Sequence, residues 1–213
     1  MLRLGPARTV VDVGAGTGKL TRALLPSGAE LIAVEPVAAM RNVLERELPI
    51  ARALDGTAES LPLPNAAADA IVVGQAFHWF DAPAALREFH RVLRPGGRLG
   101  LVWNLRDRRQ ALQRAIDEIT EPLRGDTPAQ WGDKWREAPE LGGLFSSEAE
   151  LKVPFELELD ANTFLDRIAS ISFIAALDDA RREGVMERVR TLAAGHPEPW
   201  SYVTEVYVYE RSV

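Results

Sequence analysis

A glycine-rich turn near the start of the chain constrains the fold more than any other feature. Residues 9–13 form a short apolar run that leads directly into Gly14, Gly16 and Gly18, and Lys19 begins a segment of helical character. Glycines let the chain turn sharply, and they let a ligand approach backbone N–H groups at the start of a helix. The pattern therefore predicts a strand, a ligand-binding loop and a helix, in that order.

The rest of the chain predicts a layered fold. The apolar runs at 31–34, 70–73 and 99–103 do not alternate with polar residues, which is typical of parallel strands covered by helices on both faces. A later run alternates strictly around Pro154, as suits an edge strand. We predict a doubly wound, Rossmann-like α/β fold whose seven-stranded sheet is mostly parallel with an antiparallel edge strand. The predicted strands are 9–13, 31–34, 51–54, 70–73, 99–103, 151–159 and 202–209, and the predicted helices are 19–25, 37–48, 84–93, 164–173 and 178–194.

The length of 213 residues suits a single domain. Its predicted parts are a core at 9–107, an insertion at 108–147 and a C-terminal extension of the sheet at 148–213. The cluster Arg94-Pro95-Gly96-Gly97 is expected to end a helix of the core. In the insertion, Trp131 and Trp135 either pack in the core of the insertion or line an apolar acceptor pocket.

Composition excludes several kinds of site and partner. The chain has no cysteine and three histidines, so neither a thiol nucleophile nor a metal site is expected. The net charge of −6 disfavours nucleic acid as a partner. No stretch of the chain reaches the roughly 18 apolar residues that a membrane span requires. We therefore expect a cytoplasmic protein, monomeric or homodimeric, that acts on a small molecule.

The spacing of the glycines and of two acids indicates the kind of cofactor. Glu35 ends the second predicted strand, 23 residues after Asp12, where an acid accepts hydrogen bonds from ribose hydroxyls in doubly wound folds. The dinucleotide fingerprint GxGxxG is absent, because Lys19 stands where its third glycine belongs. Asp12 lies where a cationic group suits better than a pyrophosphate. Adenosine joined to an amino acid is S-adenosylmethionine.

These features, taken together with three more motifs, resemble a class I S-adenosylmethionine-dependent methyltransferase of the type 11 kind. The resemblance is strong from Val10 to about Asp107 and looser beyond. It rests on Asp-x-Gly-x-Gly-x-Gly, Glu35, Gly56-Thr57-Ala58-Glu59-Ser60-Leu61-Pro62 and Leu93-Arg94-Pro95-Gly96-Gly97. The stretch from Gly74 to Phe80 further resembles small-molecule methyltransferases of the trans-aconitate branch.

The resemblance implies which residues bind the cofactor. Asp12 would hold the ammonium, and Glu35 would hold the ribose hydroxyls. The loop would line the methionine part, while the segment after the third strand would contact the adenine, with the Ala58 N–H as its best contact because Thr57 replaces the usual aspartate. Gln75 would shape the floor near the methyl group. The implied set is Asp12, Gly14, Ala15, Gly16, Glu35, Pro36, Met40, Thr57, Ala58, Glu59 and Gln75.

The reaction implied is an in-line methyl transfer from a sulfonium, which requires alignment in a dry pocket and needs a base only if the acceptor starts protonated. His78 would orient the acceptor or act as that base; alternatively it caps its loop or pairs with Asp81. Trp79 either contacts the acceptor or packs. Asn104 and Arg106 follow the fifth strand, and Arg106 would either anchor an anionic acceptor or pair on the surface with Asp107.

Two other hypotheses remain open at this point. A nicotinamide-dependent oxidoreductase would need the absent GxGxxG. The second is a relative that binds the cofactor without catalysis, and it is suggested by the short segment ahead of the first strand. Members of the family generally carry helices there that fold over the cofactor. Here residues 1–8 would form only a stub, which leaves open a longer native N-terminus, a lost lid or a lid from another chain.

Overall fold

The computed structural model describes residues 1–125, 127, 143–158, 160–194 and 200–212 and contains a seven-stranded sheet. In chain order the strands are β1 (Thr9–Val13), β2 (Glu30–Val34), β3 (Arg52–Leu54), β4 (Ala68–Gly74), β5 (Leu93–Arg106), β6 (Phe145–Leu157) and β7 (Trp200–Arg211). Their order across the sheet is β3-β2-β1-β4-β5-β7-β6. The predicted α/β fold with seven strands is confirmed.

Strand direction changes only towards one side of the sheet. The first five strands pair in parallel, β1 with β2 and β4, β2 with β3, and β4 with β5. Contacts on β7 descend in residue number as those on β5 rise: Arg98 forms an ion pair with Glu210, whereas the Asp107 N–H, just beyond β5, donates to the Ser201 carbonyl at 2.9 Å. This pattern defines an antiparallel pair. The antiparallel strand β7 thus lies one position in from the edge, which β6 occupies.

The described helices are amphipathic in the way that a covered sheet requires. Helix α3 buries Ala85, Leu86, Phe89 and Val92 on one face, and the Asp81 carboxylate caps it by accepting the Ala84 N–H at 3.2 Å. The helices are α1 (Lys19–Leu24), α2 (Ala38–Glu47), α3 (Ala82–Val92), α4 (Ala111–Thr120), α5 (Ala161–Ala169), α6 (Ser172–Ala175) and α7 (Asp179–Ala194). Among the described residues, none of the helices combines the length and the apolarity needed to cross a bilayer.

The cluster Arg94-Pro95-Gly96-Gly97 follows the end of α3 at Val92, as predicted, but it lies inside the next strand and not ahead of it. Strand β5 begins at Leu93 and includes the whole cluster. Leu93 pairs with Ala68, and Arg98 pairs with Ala70, so the pairing register shifts within the cluster. An irregularity of this kind accommodates extra residues in one strand, and the positive φ of Gly96 (73°) permits the local bend.

The second half of the chain departs further from the predicted element boundaries. Helix α4 occupies the start of the predicted insertion, whereas Trp131 and Trp135 lie outside the described residues. The predicted helix at 164–173 is two helices, α5 and α6. Strand β6 has the predicted edge position, but its alternation does not bury one face, because Leu151 and Val153 are 42% and 44% exposed.

Contacts divide the chain into two compact units. Unit 1 contains Met1–Trp103, Ala129–Leu151 and Glu205–Val213, and unit 2 contains Asn104–Pro128 and Lys152–Thr204. One core of unit 1 packs Val10, Leu31 and Val72 with their neighbours, and Leu2 packs against it. The core of unit 2 gathers buried residues of α4, α5, α6, α7 and the start of β7, namely Leu112, Ile116, Ile119, Phe164, Ile168, Phe173, Ile174, Val185, Val189, Trp200 and Tyr202.

We expect Phe89→Ala to lower the free energy of unfolding by about 3–5 kcal/mol, because Phe89 is fully buried and its removal leaves a cavity. Arg87→Ala, on the exposed face of the same helix, should change it by less than about 0.5 kcal/mol. Urea denaturation of both variants checks the difference. Equal effects would contradict the assignment of the buried face of α3.

Candidate cofactor site

The glycine loop folds back over the end of β2. Gly14 and Ala15 both donate their backbone N–H groups to the Val34 carbonyl, at 2.9 and 3.2 Å. Gly14 has a φ of 68° and Gly16 a φ of 57°, which L side chains rarely adopt. A Cβ on Gly14 would meet the Cβ of Ala76 at 2.9 Å, whereas one on Gly16 would meet nothing within 4 Å. The loop is therefore packed on one side and open on the other.

Glu35 stands directly beside this loop. Its carboxylate is almost fully buried at the end of β2, with the residue 5% exposed. The Gly16 N–H donates to Oε2 at 2.8 Å, and the Val37 N–H donates to Oε1 at 2.9 Å. Each carboxylate oxygen has two lone pairs, so both oxygens keep the capacity to accept one further bond. The acid is thus held in one orientation while remaining able to receive hydroxyl groups.

Arg41 holds the backbone of Glu35, a role that the sequence pattern does not predict. Its Nη1 donates to the backbone carbonyl of Glu35 at 2.6 Å and to the Asp55 carboxylate at 3.1 Å. Glu35 follows β2 and Asp55 follows β3. One guanidinium therefore ties together the ends of two neighbouring strands. Arginine at this position of α2 resembles any exposed helix residue in the sequence, so only the tertiary structure identifies it.

Asp12 carries a buried charge at the end of β1. The Thr21 hydroxyl donates to its Oδ2 at 2.6 Å, and within the described part of the chain no group bonds to its buried Oδ1. The pKa of Asp12 is raised from 3.8 to about 6, chiefly by burial and to a smaller extent by the charge of Glu35, against the opposing hydrogen bonds from Thr21. An unmet buried carboxylate oxygen suits a cationic or hydrogen-bond-donating ligand group.

The residues predicted for the adenine flank the same strand ends. Pro36 and Met40 are exposed, and Ala58 is buried. Thr57 and Ser60 pair across a tight turn, in which the Ser60 N–H donates to the Thr57 carbonyl at 3.2 Å.

Glu59 and Gln75 both serve the segment that follows β4. The Asp81 N–H donates to Oε1 of Glu59 at 3.0 Å, so this carboxylate fixes the start of α3. Gln75 has a φ of 59°, unusual for a residue with a side chain, and its N–H donates to the Val102 carbonyl at 2.9 Å. Backbone outliers of this kind concentrate at ligand sites.

His78 lies in a short 3₁₀ turn, Phe77–Trp79, between β4 and α3. Its ring centroid lies 5.2 Å from that of Trp79, which is 53% exposed. The Asp81 carboxylate, one predicted alternative partner of His78, caps α3. Phe80 would lie 3.2 Å from a Cβ on Gly14 and so packs against one side of the glycine loop.

Asn104 and Arg106 belong to unit 2. The Thr204 hydroxyl donates to Oδ1 of Asn104 at 2.8 Å. Arg106 pairs with Asp117 of α4 at 3.0 Å, and not with Asp107 as one alternative predicted. Asp107 pairs instead with Arg109, at 2.7 Å.

The parallel strands of unit 1 therefore bring together a glycine loop, a buried acid at the end of β2 and a second buried acid at the end of β1. The carboxyl ends of parallel strands are where α/β folds bind their ligands. This combination defines a nucleotide-type cofactor site of the Rossmann-like class.

Comparisons with known proteins identify the family. The family described as "Methyltransferase domain" matches residues 11–101. An uncharacterized methyltransferase of Mycobacterium tuberculosis strain H37Rv is 41% identical over 90% of this chain and 75% of its own length. An uncharacterized methyltransferase-like protein of Schizosaccharomyces pombe is 33% identical over 88% of this chain and 73% of its own length.

Solved structures share the fold. The YcgJ protein from Bacillus subtilis has a TM-score of 0.60 at 21% identity, covering all of this chain and 95% of its own. Geranyl diphosphate C-methyltransferase from Streptomyces coelicolor A3(2) has a TM-score of 0.57 at 16% identity, covering 98% of this chain and 74% of its own, and was solved with S-adenosyl-L-homocysteine. The chain belongs to the class I S-adenosylmethionine-dependent methyltransferases, and S-adenosylmethionine is its cofactor.

The raised pKa of Asp12 has a defined effect on stability. Between about pH 4 and pH 6 the folded chain retains a proton that the unfolded chain has released, so the free energy of unfolding falls as the pH rises through this window. Relative to Asp12→Asn, the wild type should lose about 2 kcal/mol between pH 4 and pH 7, since one pKa unit corresponds to about 1.36 kcal/mol and the window covers most of the shift. Urea unfolding of both proteins across this range measures the difference, and a constant difference would refute the assigned burial.

Loss of the Arg41 side chain should weaken cofactor binding. Arg41→Met keeps the length of the side chain but removes both hydrogen bonds, so we expect affinity for S-adenosylhomocysteine to fall roughly fivefold to thirtyfold, as about 1 kcal/mol for one or for both bonds implies. Arg46→Met, which alters an exposed arginine of the same helix, is the matched control. Calorimetric titration measures both, and identical affinities would show that Arg41 does not position Glu35.

Proposed function

We propose that this chain transfers the methyl group of S-adenosylmethionine to a small-molecule acceptor, with the cofactor bound at the ends of β1 and β2. The observation that carries this proposal is the pairing of the buried Glu35 carboxylate with the open glycine loop, through the 2.8 Å bond from Gly16. An acid that ends a buried strand has little structural reason to exist unless it receives a ligand. Glu35 holds the loop through the bond from Gly16, and its carboxylate oxygens can still accept further hydrogen bonds.

The described residues fit each part of the cofactor. Asp12, with its unmet buried oxygen, would receive the ammonium and would then stay ionised. Glu35 would accept both ribose hydroxyls, and the open side of Gly16 leaves backbone room for the methionine chain. Pro36, Met40, Thr57 and Ala58 would flank the adenine, with Glu59 holding their turn against the start of α3. When bound, the cofactor supplies an activated methyl group on a sulfonium.

The segment after β4 is proposed to serve the reacting end. Gln75 would contact the cofactor through its backbone, because its left-handed conformation turns the chain at the strand end. His78 would orient the acceptor or remove its proton. A base is needed only for a protonated acceptor such as a hydroxyl or an amine, so His78 has a catalytic role only for acceptors of that kind.

The acceptor is proposed to be a small molecule contacted by Trp79, Asn104 and Arg106. The name of one structural neighbour supports this class. The geranyl diphosphate enzyme acts on a small organic phosphate ester by name. The cytoplasmic location, the monomeric or homodimeric state and the trans-aconitate-type branch remain predictions from the sequence.

Replacement of Glu35 tests the proposed site. Glu35→Ala should weaken S-adenosylhomocysteine binding at least tenfold, because charged hydrogen bonds are worth about 1.5–3 kcal/mol. Glu45→Ala removes the same charge from an exposed position of α2 and should leave affinity unchanged. Calorimetry measures both, and unchanged affinity in Glu35→Ala would count against the site.

Transfer itself is tested with a cofactor that carries a labelled methyl group and a panel of carboxylic acids, alcohols, amines and phenols. Transfer of label to one of them, lost in Glu35→Ala and kept in Glu45→Ala, is the expected result. A chain that binds S-adenosylhomocysteine but labels no acceptor would favour a cofactor-binding relative without catalysis. Binding of NADH in place of S-adenosylhomocysteine would favour the oxidoreductase hypothesis.

A further inference from the structure

Helix α3 holds the turn that follows β3 through two charged side chains. Oε1 of Glu88 accepts the backbone N–H of Leu61 at 2.8 Å. Arg91 donates from Nη2 to the Leu61 carbonyl at 3.3 Å and from Nη1 to the Leu63 carbonyl at 2.9 Å. Both backbone groups of Leu61 therefore bond to side chains that lie 27 and 30 residues further along the chain. Glu88 and Arg91 themselves belong to no part of the candidate cofactor site.

Glu88 and Arg91 orient each other. Arg91 donates from Nε to Oε2 of Glu88 at 2.8 Å and from Nη2 to Oε1 at 2.6 Å, which makes the pair bidentate. The hydrogen bonds from Arg91 chiefly hold the pKa of Glu88 below its ordinary value, and the Leu61 N–H also lowers it, against the opposing effect of burial. Ion pairs that are partly open to solvent, as this one is, contribute little to stability on average. The main effect of the pair is to fix the direction of its bonds to the turn.

The turn is also restricted where it begins. A Cβ on Gly56 would lie 2.7 Å from Cδ of Pro62 and 3.1 Å from Cγ1 of Val34, so the backbone there is in close contact with both. Pro62 follows Leu61 directly, so the bonds to Leu61 also place the ring against which Gly56 packs. The segment proposed to flank the adenine lies between these two fixed points. A shift of Leu61 would therefore displace the Ala58 N–H.

The same helix holds the turn at a second place. Oε1 of Glu59 accepts the Asp81 N–H at 3.0 Å, and the Asp81 carboxylate caps α3. Helix α3 thus holds residue 59 of the turn through its N-cap and residue 61 through the Glu88–Arg91 pair. One attachment would leave the turn able to rotate about it. Two attachments to one helix fix both the position and the orientation of the turn.

We infer that Glu88 and Arg91 are positioning residues for recognition of the adenine base, because they hold the turn where the Ala58 N–H can donate to N1 of the ring. The inference rests on the proposed function, in which this turn receives the adenine. Glu35 and the glycine loop serve other parts of the cofactor, and none of their bonds involves the Glu88–Arg91 pair. Loss of the pair should therefore weaken recognition of the base and leave the ribose and methionine contacts in place.

Two ligands that differ only in the base separate these effects. S-adenosylhomocysteine has a hydrogen-bond acceptor at N1 of its base, whereas S-inosylhomocysteine, with hypoxanthine in place of adenine, has a donor there. We expect the full chain to bind S-adenosylhomocysteine at least tenfold more tightly. Arg91→Met should weaken S-adenosylhomocysteine about tenfold and change S-inosylhomocysteine by less than twofold, so the preference for adenine disappears. Calorimetric titration measures both affinities.

Two further variants separate positioning from the other effects of charge on α3. Arg87→Met removes an exposed arginine of the same helix and should keep the preference for adenine. The double variant Glu88→Arg with Arg91→Glu keeps opposite charges three residues apart, but it presents a guanidinium to the Leu61 N–H and a carboxylate to the carbonyl groups. It should lack the preference, as Arg91→Met does. A preference of wild-type size in Arg91→Met or in the double variant would overturn the inference.

The same titrations distinguish a positioning role from a structural one. Unchanged binding of S-inosylhomocysteine by Arg91→Met would show that the variant folds and keeps the rest of the site. Equal weakening of both ligands would show that Arg91 has only a structural role, and the inference would fail. A wild type that binds both ligands equally would also overturn it, because the turn would then not recognise the base. A wild type that binds neither ligand would contradict the proposed function, and the inference with it.

Discussion

The hydrogen bond from the Gly16 N–H to the Glu35 carboxylate is the interaction on which the cofactor site depends. It joins two segments that are 19 residues apart in sequence and adjacent only because β1 and β2 pair in parallel, with Val13 beside Val34. The register of that pairing places the glycine loop and the acid at the same level of the sheet. A shift of one residue would reverse the direction of every side chain on the strand and move Glu35 away from the loop.

The geometry of the loop follows from this constraint. Its backbone must turn back towards β2, which positive φ values at Gly14 and Gly16 allow and which the two bonds to the Val34 carbonyl hold in place. Thr21 of α1 then lies against Asp12, so the helix that follows the loop also fixes the acid that precedes it. Strand, loop and helix form one hydrogen-bonded unit, and a short sequence motif is therefore sufficient to predict it.

Much of the fold was predictable from local patterns, because buried parallel strands are continuous apolar runs and amphipathic helices have a clear period. Prediction failed where tertiary pairing overrode a local signal. The Pro-Gly-Gly cluster follows the end of α3 as predicted, but β5 begins at Leu93 and not at residue 99, because pairing with β4 continues through the cluster by a change of register. The alternation of β6 predicts a buried face, but Leu151 and Val153 remain exposed, because alternation shows that a strand has two faces and not which of them is covered.

For the candidate site, the sequence predicts which residues lie at the strand ends but not which partners they contact. The glycines and acids occupy motif positions, so their presence at the strand ends could be predicted. A pair with Asp107, its neighbour in sequence, was one of two alternatives for Arg106, yet Arg106 pairs with Asp117, because the orientation of α4 and not sequence proximity decides which carboxylate it meets.

Two features that ordinary rules of stability disfavour lie at neighbouring strand ends in unit 1. Asp12 keeps a carboxylate oxygen buried and unbonded, and Gln75 has a left-handed backbone that favours glycine. Either residue could be replaced by one that folds with less strain or less desolvation, Asn for the acid and Gly for the amide. Two independent violations at adjacent strand ends are difficult to explain by folding alone. They are expected where a cationic group and a close backbone contact complete the site.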